Sequence, residues 1–297
     1  MKTNLNIQRY MILGLLLAVL VGCNKTSQSS ATTLLDDYEI QSGRTAGDRM
    51  VLRINGVEYA FRQSPPGNFK IGSPSDESNR GNDEKQHEAT LTHGFWMGET
   101  EVTQEQWESV MGNNPSHFKG GQLPVESVSW NDCQDYIKKL NDLVSSDYRF
   151  SLPTETQWEY VCRAGTTTVY SFGDSREELK EYAWFGAYHV EDGLKASSEK
   201  TTNVVGQKKS NVWGLYDMHG NVWEWCNDWY GDYPSGSVTN PTGATSGSDR
   251  VVRGGGGNNG ARCCRSAFRS YSAPDDRLNS LGLRLCLVDA SRRGNKN

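Results

Sequence analysis

Asn211 to Gly231 reads NVWGLYDMHGNVWEWCNDWYG and holds four of the chain's nine tryptophans: Trp213, Trp223, Trp225 and Trp229. Aromatic and β-branched residues fall in two runs, Val212 to Tyr216 and Val222 to Trp229, each predicting a short strand. Asp217, Gly220 and Asn221 between them supply turn chemistry. An indole is large enough to fill the core of a loop-rich domain while its N–H finds a backbone acceptor, so these rings are expected to be scaffold.

Three helices precede this stretch, each announced by its cap. Thr103 with Gln106 forms a capping box for a helix to about Met111, closed by Gly112. Ser129 opens a second, in which Trp130, Cys133, Tyr136, Ile137 and Leu140 recur at three and four and form one buried face. Thr154 with Gln157 opens a third, Glu155 to about Ala164. Earlier still, Met50 to Phe61 holds two alternating runs joined by Asn55-Gly56, a hairpin signal. Further short strands are predicted at Val251 to Arg253 and Leu281 to Val288. With 31 glycines and 9 tryptophans against sparse aliphatics, the class is α+β, helices first and a loop-dominated antiparallel region second. No internal repeat and no Pro/Ser-rich break divides the region, so it reads as one domain.

The chain begins with a different chemistry. Lys2 and Arg9 precede an apolar run from Met11 to Val21, too short to span a bilayer, which ends in Leu20-Val21-Gly22-Cys23. Residues 1–22 are expected to be a lipoprotein signal peptide of lipobox type, with Cys23 lipidated; the alternative is an ordinary secretory signal. Residues 23–45, rich in Ser, Thr and Gln, would be a flexible tether, and 46–290 the folded domain. The expected location is therefore on a membrane, outer and surface-exposed, held by the lipid on Cys23. The net charge of −5 hides an asymmetry, acidic before Arg250 and arginine-rich after it. Those arginines sit singly among small residues, which suits structural hydrogen bonding rather than a phosphate stripe, and no nucleic-acid partner is expected. Six cysteines remain beyond Cys23, an even number that allows one or two disulfides in an oxidising compartment; buried thiols are the alternative.

The segments from FKIGSPSDESNRGNDEKQHEATLTHGFWMGETEVTQEQWESVMG through PVESVSWNDCQDYIKKLN, FSLPTETQWEYVCRAG, GLYDMHGNVWEW and RVVRGG resemble, in order and spacing, the formylglycine-generating-enzyme-like domain family, from about Gly67 to Val288. The resemblance implies a C-type-lectin-like fold of the sulfatase-modifying-factor type: a small twisted antiparallel sheet, two main helices and long ordered loops. It also implies that Cys226 lies near Cys264 and Cys162 near Cys286. Enzymatic members oxidise a substrate cysteine with copper held by two cysteines. On this chain those positions are Asn259 and Cys264, and one thiolate is missing from a site that needs two soft ligands. No catalytic residue and no required cofactor is therefore expected. Calcium also occurs in the family, which makes Asn221 and Glu224 candidate oxygen ligands; a hydrogen-bonded turn is the alternative.

Val251 to Asn295 contains no Lys, Glu, Gln, Trp or Met, where ordinary usage would place about ten. Codons ending in a pyrimidine encode none of the five. The pattern resembles one branch of the family, the variable proteins of diversity-generating retroelements, and with the lipoprotein signal the Treponema-type variable lipoproteins among them. Their C-terminal segment is rewritten at adenine-rich codons within a fixed frame. Here the frame is kept at Gly254-Gly255, Cys264 to Ala267, Arg269, Pro274-Asp275, Arg277 and Gly282, while Gly256-Gly257 replaces the common Ser-Trp. Within a variable region of about 251–285, the resemblance makes Gly257, Asn258, Asn259, Arg262, Cys263, Phe268, Ser270, Tyr271, Ser272, Leu278, Asn279 and Ser280 the candidate contact residues for a ligand. They are expected to form one exposed patch, with Arg265, Ala267, Arg269 and Arg277 turned inward or bracing loops, and Phe268 and Tyr271 as anchors. The partner would be an unidentified protein or cell-surface molecule, and the chain a monomer. The competing functions are a formylglycine-generating oxidase and a structural lipoprotein of a secretion or motility machine.

Overall fold

The computed structural model describes residues 38–41, 45–144, 148–186 and 202–289. The hairpin signal is met by β2 (Arg49–Ile54) and β3 (Val57–Ser64), which follow β1 (Tyr38–Gln41). Asn55 and Gly56 both turn at positive φ, 51° and 78°, as a two-residue type I′ loop requires. Two pairing strands, β4 (Gly67–Ile71) and β5 (His87–Leu91), precede β6 (Phe95–Gly98). Next come α1 (Gln104–Met111), α2 (Trp130–Leu143), β7 (Tyr148–Ser151), α3 (Glu155–Arg163) and one turn, α4 (Leu179–Tyr182). All three expected helices start at the expected caps. The box on α2 is completed by Asp132, whose carboxylate reaches back to the Ser129 N–H at 2.9 Å.

The second half adds β8 (Trp223–Trp229), β9 (Val238–Thr239), β10 (Arg250–Arg253), β11 (Ser270–Ser272), β12 (Leu281–Gly282) and β13 (Cys286–Asp289). The strands form three sheets, ordered β1-β2-β3-β6-β13-β7, β11-β10-β8-β12 and β4-β5-β9. The last strand in sequence enters the six-stranded sheet between β6 and β7, so the end of the domain is tied to its beginning. One core lies between that sheet and α1 and α2. There the rings of Trp107 and Tyr136 stack at 4.8 Å, and the Tyr59 and Tyr136 hydroxyls meet at 3.1 Å. A second core gathers on α3, around Trp158 and Cys162. This is the α+β, C-type-lectin-like architecture expected.

Three expectations are corrected. Val212 to Tyr216 is not a strand: the Asn211 carboxamide accepts the N–H groups of Trp213 and Leu215 at 3.0 and 3.2 Å, and Gly214 and Asp217 adopt positive φ. Local side-chain bonding has outcompeted the ladder. Leu281 to Val288 is two strands rather than one, because Arg284 between them turns fully inward to Glu224. Neither expected disulfide forms, since Cys162 and Cys226 are buried thiols. Burial pushes the Cys162 thiol up to about 12, and its sulfur sits 3.8 Å from the Met218 carbonyl oxygen.

Candidate functional site

The arginine-rich end of the chain meets the acid-rich beginning inside the protein. Arg269 forks onto Glu155 at the start of α3, Nε to Oε1 at 2.6 Å and Nη2 to Oε2 at 2.8 Å. It also donates to the carbonyls of Asp83 and Gly231. Arg265 grips Glu84 with two nitrogens, 2.6 and 2.9 Å, and Glu77 with one, 2.5 Å. Arg253 on β10 binds Glu159 and the Phe268 carbonyl, and Glu159 also takes Arg163 at 2.9 Å. All of these guanidinium groups are buried. Burial alone would raise the Glu155 carboxyl, but the charges of Arg269 and Arg253 outweigh it and hold the group below its ordinary range. Arg277 is exposed and braces its loop onto α2 through Asp132 at 2.7 and 2.9 Å. Carboxylates on α2, α3, β8 and the stretch between β4 and β5 thus pair with the arginines of 253 to 284.

Between these anchors, Asn258, Asn259 and Phe268 gather around Trp223. Its indole N–H donates to Asn259 Oδ1 at 2.8 Å, and its ring lies 6.0 Å from that of Phe268. Any Cβ at Gly256 would fall within 3.0 to 3.3 Å of Asn258 Oδ1, Asn259 Oδ1 and Trp223, so those three side chains converge there. Asn258 Oδ1 is buried and has no hydrogen-bond partner among the described residues. In β11, Ser270 pairs with Val252 and Ser272 with Arg250. Side chains directly opposite share a face, and Val252 in turn opposes Trp225. Ser270 and Ser272 therefore lie on the sheet face that carries Trp223 and Trp225.

The twelve candidate contact residues do not share one environment. Arg262, Tyr271, Leu278 and Asn279 are exposed; Asn258, Asn259, Phe268, Ser270 and Ser272 are half-buried. Gly257, Cys263 and Ser280 are buried, a correction. The Gly257 N–H donates to Asn221 O at 2.8 Å, Cys263 lies on the inner side of a 3-10 turn (Ala261–Cys264), and the Ser280 carbonyl accepts the Trp223 N–H at 2.8 Å. Tyr271 points to the opposite face of β11 from Ser270 and Ser272, where it packs on Tyr230 at 4.5 Å. Alternation along a three-residue strand splits the expected single patch in two. The sequence reading missed Trp223 as the floor of the site, although it lies in the most distinctive stretch of the chain.

Neither metal implied by the family fits the residues present. Asn259 Oδ1 is engaged by an indole N–H, and Cys264 supplies a single sulfur, which leaves no thiolate pair for copper. Both Glu224 oxygens lie within 3.0 Å of the Arg284 guanidinium, and Oε2 also accepts the Trp158 N–H at 2.6 Å. Asn221 is turned to Asn203, accepting its N–H at 2.9 Å and donating to its carbonyl at 3.2 Å. The proposed calcium ligands are a buried ion pair and a hydrogen-bonded turn. Among the described residues no group of three or more His, Cys, Asp or Glu could hold a metal ion.

Three packed sheets, capped helices and a C-terminal segment pinned by buried arginines define a C-type-lectin-like domain of the sulfatase-modifying-factor type. The chain belongs to the family described as the sulfatase-modifying factor enzyme 1-like domain, whose model matches residues 63–288. It is 33% identical to Treponema denticola variable protein 1, with a TM-score of 0.70 over 80% of this chain and 97% of that one. It is 30% identical over 266 residues to the chaperone protein LppX of Paenibacillus barcinonensis, 75% of this chain and 82% of that protein. It is 34% identical over 215 residues to the formylglycine-generating enzyme of Mus musculus, 68% of this chain; the match spans about half, 53%, of that enzyme's length.

Proposed function

We propose that the chain is a surface-displayed lipoprotein, anchored through Cys23, whose 251–285 segment forms a ligand-binding site diversified by a retroelement. One observation carries the reading. Buried, ion-paired frame residues (Arg253, Arg265, Arg269, Arg284) alternate in sequence with half-buried positions (Asn258, Asn259, Phe268, Ser270) and exposed ones (Leu278, Asn279), here called open. Substitution at open positions costs little, and a preordered backbone lowers the cost of binding. Mixed Tyr, Ser, Asn and Gly is the composition of adaptable protein-binding loops, which favours a protein or other cell-surface molecule as the partner. Likeness to a variable protein of the same fold supports the reading. Oxidase activity is disfavoured by Asn259 at the first copper position.

Two measurements test this. The DNA flanking the gene should hold an adenine-biased near copy of codons 251–285 beside a reverse-transcriptase gene; a finished genome without one removes the diversification. Incubating the copper-loaded protein with a cysteine-containing sulfatase peptide should leave the cysteine unchanged by mass spectrometry. Formylglycine in that peptide would reinstate the oxidase.

A further inference from the structure

A cavity of about 940 Å³ lies between β7 and α2, away from the Trp223 surface. β7 is the last strand of its sheet, paired with β13 on one side only. On the other side, the Phe150 N–H donates to Asn141 Oδ1 at 2.9 Å, and the Phe150 carbonyl accepts from Asn141 Nδ2 at 3.0 Å. A carboxamide offers the same donor and acceptor as a peptide group, so Asn141 occupies the place of a neighbouring strand. Gln134, two turns earlier on the same helix face, also lines the cavity. Its Nε2 is buried and has no hydrogen-bond partner among the described residues, an arrangement that is unfavourable until an acceptor arrives. Ile137, Leu152 and Leu91 lie buried beneath the lining, and Val288 is half-buried at it. At the mouth Arg149 is exposed, whereas Lys138 is tied to Asp142 at 2.6 Å.

We propose that this groove is a strand-addition site for an extended peptide segment of a partner protein. The segment pairs with the outer edge of β7, displaces the Asn141 carboxamide and presents a backbone carbonyl to Gln134 Nε2. Edge strands are templates for such pairing, with main-chain hydrogen bonds giving affinity and alternate side chains giving choice. Val288, half-buried at the lining, favours an apolar residue in the segment, and Arg149 a carboxylate near one end. A saccharide fits less well: the Phe95 and Phe150 rings in the lining are each only 3% exposed and offer no open face for stacking.

The test uses the full chain and a panel of end-capped hexapeptides that alternate valine and threonine, with an aspartate at either end. Each has two N-methylated forms, one for each alternating set of amides; cellohexaose is the saccharide probe. Binding is read by anisotropy and by NMR shifts of the Phe150 amide and the Gln134 side-chain amide. The expected result is saturable peptide binding that one N-methylated set abolishes and the other spares. Gln134→Ala should weaken it about five- to tenfold, the worth of one hydrogen bond, and Asn141→Ala should strengthen it. Should Asn141→Ala fail to fold, Gln134→Ala and the N-methyl pair decide alone. No saturation at millimolar peptide, equal loss from both N-methylated sets, or binding of cellohexaose in place of peptide would each overturn the proposal.

Discussion

Four consecutive residues, Phe268 to Tyr271, offer a sharp test of how the segment is built. Arg269 is 5% exposed and makes four hydrogen bonds, two of them to a carboxylate that is itself 3% exposed. Arg269→Ala leaves Glu155 buried with only Tyr233 at 3.1 Å and Arg253 at 3.5 Å. Breaking a buried pair by removing one partner costs about 3–5 kcal/mol, and at roughly 2–4 °C per kcal/mol for a domain of this size the midpoint should fall by about 6–20 °C. Phe268→Ala, Ser270→Ala and Tyr271→Ala remove half-buried or exposed groups and should each stay within about 1 kcal/mol. Urea and thermal unfolding at pH 7 read all four. The pH dependence adds a check: because the Glu155 pKa is lowered on folding, its contribution is present above the unfolded carboxylate range and is lost as pH falls through the folded value. In Arg269→Ala that acid limb should shrink. A loss below about 1 kcal/mol for Arg269→Ala, or an equal loss for Tyr271→Ala, would refute the division into frame and open positions.

The His219 ring is buried, with Nδ1 2.8 Å from the Cys264 carbonyl oxygen and Nε2 accepting from the Ser171 N–H and hydroxyl at 3.1 and 2.8 Å. Burial lowers its pKa to about 4; the neutral ring therefore stabilises fully above the unfolded value near 6.5, and on the order of 3 kcal/mol is lost as pH falls from there to about 4. Because Asp217 and Asp228 are raised by burial to about 6 and about 8 and act in the opposite sense, the effect should be read as the difference between the native chain and His219→Gln; a difference that does not change over that range would refute it. Gly220→Ala should cost more than about 2 kcal/mol, since a Cβ there would sit 2.2 Å from the Trp184 carbonyl oxygen at φ 144°, whereas Gly56→Ala, at φ 78° with open space, should cost about 1 kcal/mol; equal midpoints in urea would contradict the difference. Asn259→Ser should change stability by no more than about 1 kcal/mol, the worth of the Trp223 hydrogen bond it loses, and a larger drop in calorimetry would mean that the side chain, not the backbone, holds the loop.

Local chemistry was legible in the sequence and long-range pairing was not. The caps Thr103, Ser129 and Thr154 and the Asn55-Gly56 turn act within a few residues, so each reads directly. That Asn211 would fold back onto its own backbone was also a local matter, but it competed with a strand pattern that looked equally good. The placement of β13 between β6 and β7 depends on contacts more than a hundred residues apart, for which one sequence carries no signal. The charge asymmetry was visible and its meaning half so: single arginines suggested structural bonding, yet nothing named Glu84, Glu155 and Glu159 as partners. The chemistry of Tyr271 suits an anchor, while its side of β11 follows from register, which depends on β10.

The loop that carries Asn258 and Asn259 is held largely by its own main chain. The Gly257 N–H donates to Asn221 O at 2.8 Å, the Asn259 N–H to Gly256 O at 2.9 Å, and the Asn259 carbonyl accepts the Gly186 N–H at 2.7 Å. These are main-chain groups, which any side chain leaves in place. Gly254 and Gly255 supply the left-handed φ values of 96° and 78° at the start of the loop, a demand on the frame rather than on the open positions. Glycines and main-chain hydrogen bonds thus carry the conformation of the loop, and the Asn259 side chain adds one bond, accepted from the Trp223 indole N–H. A backbone fixed in this way would lose little entropy on binding the ligand proposed above.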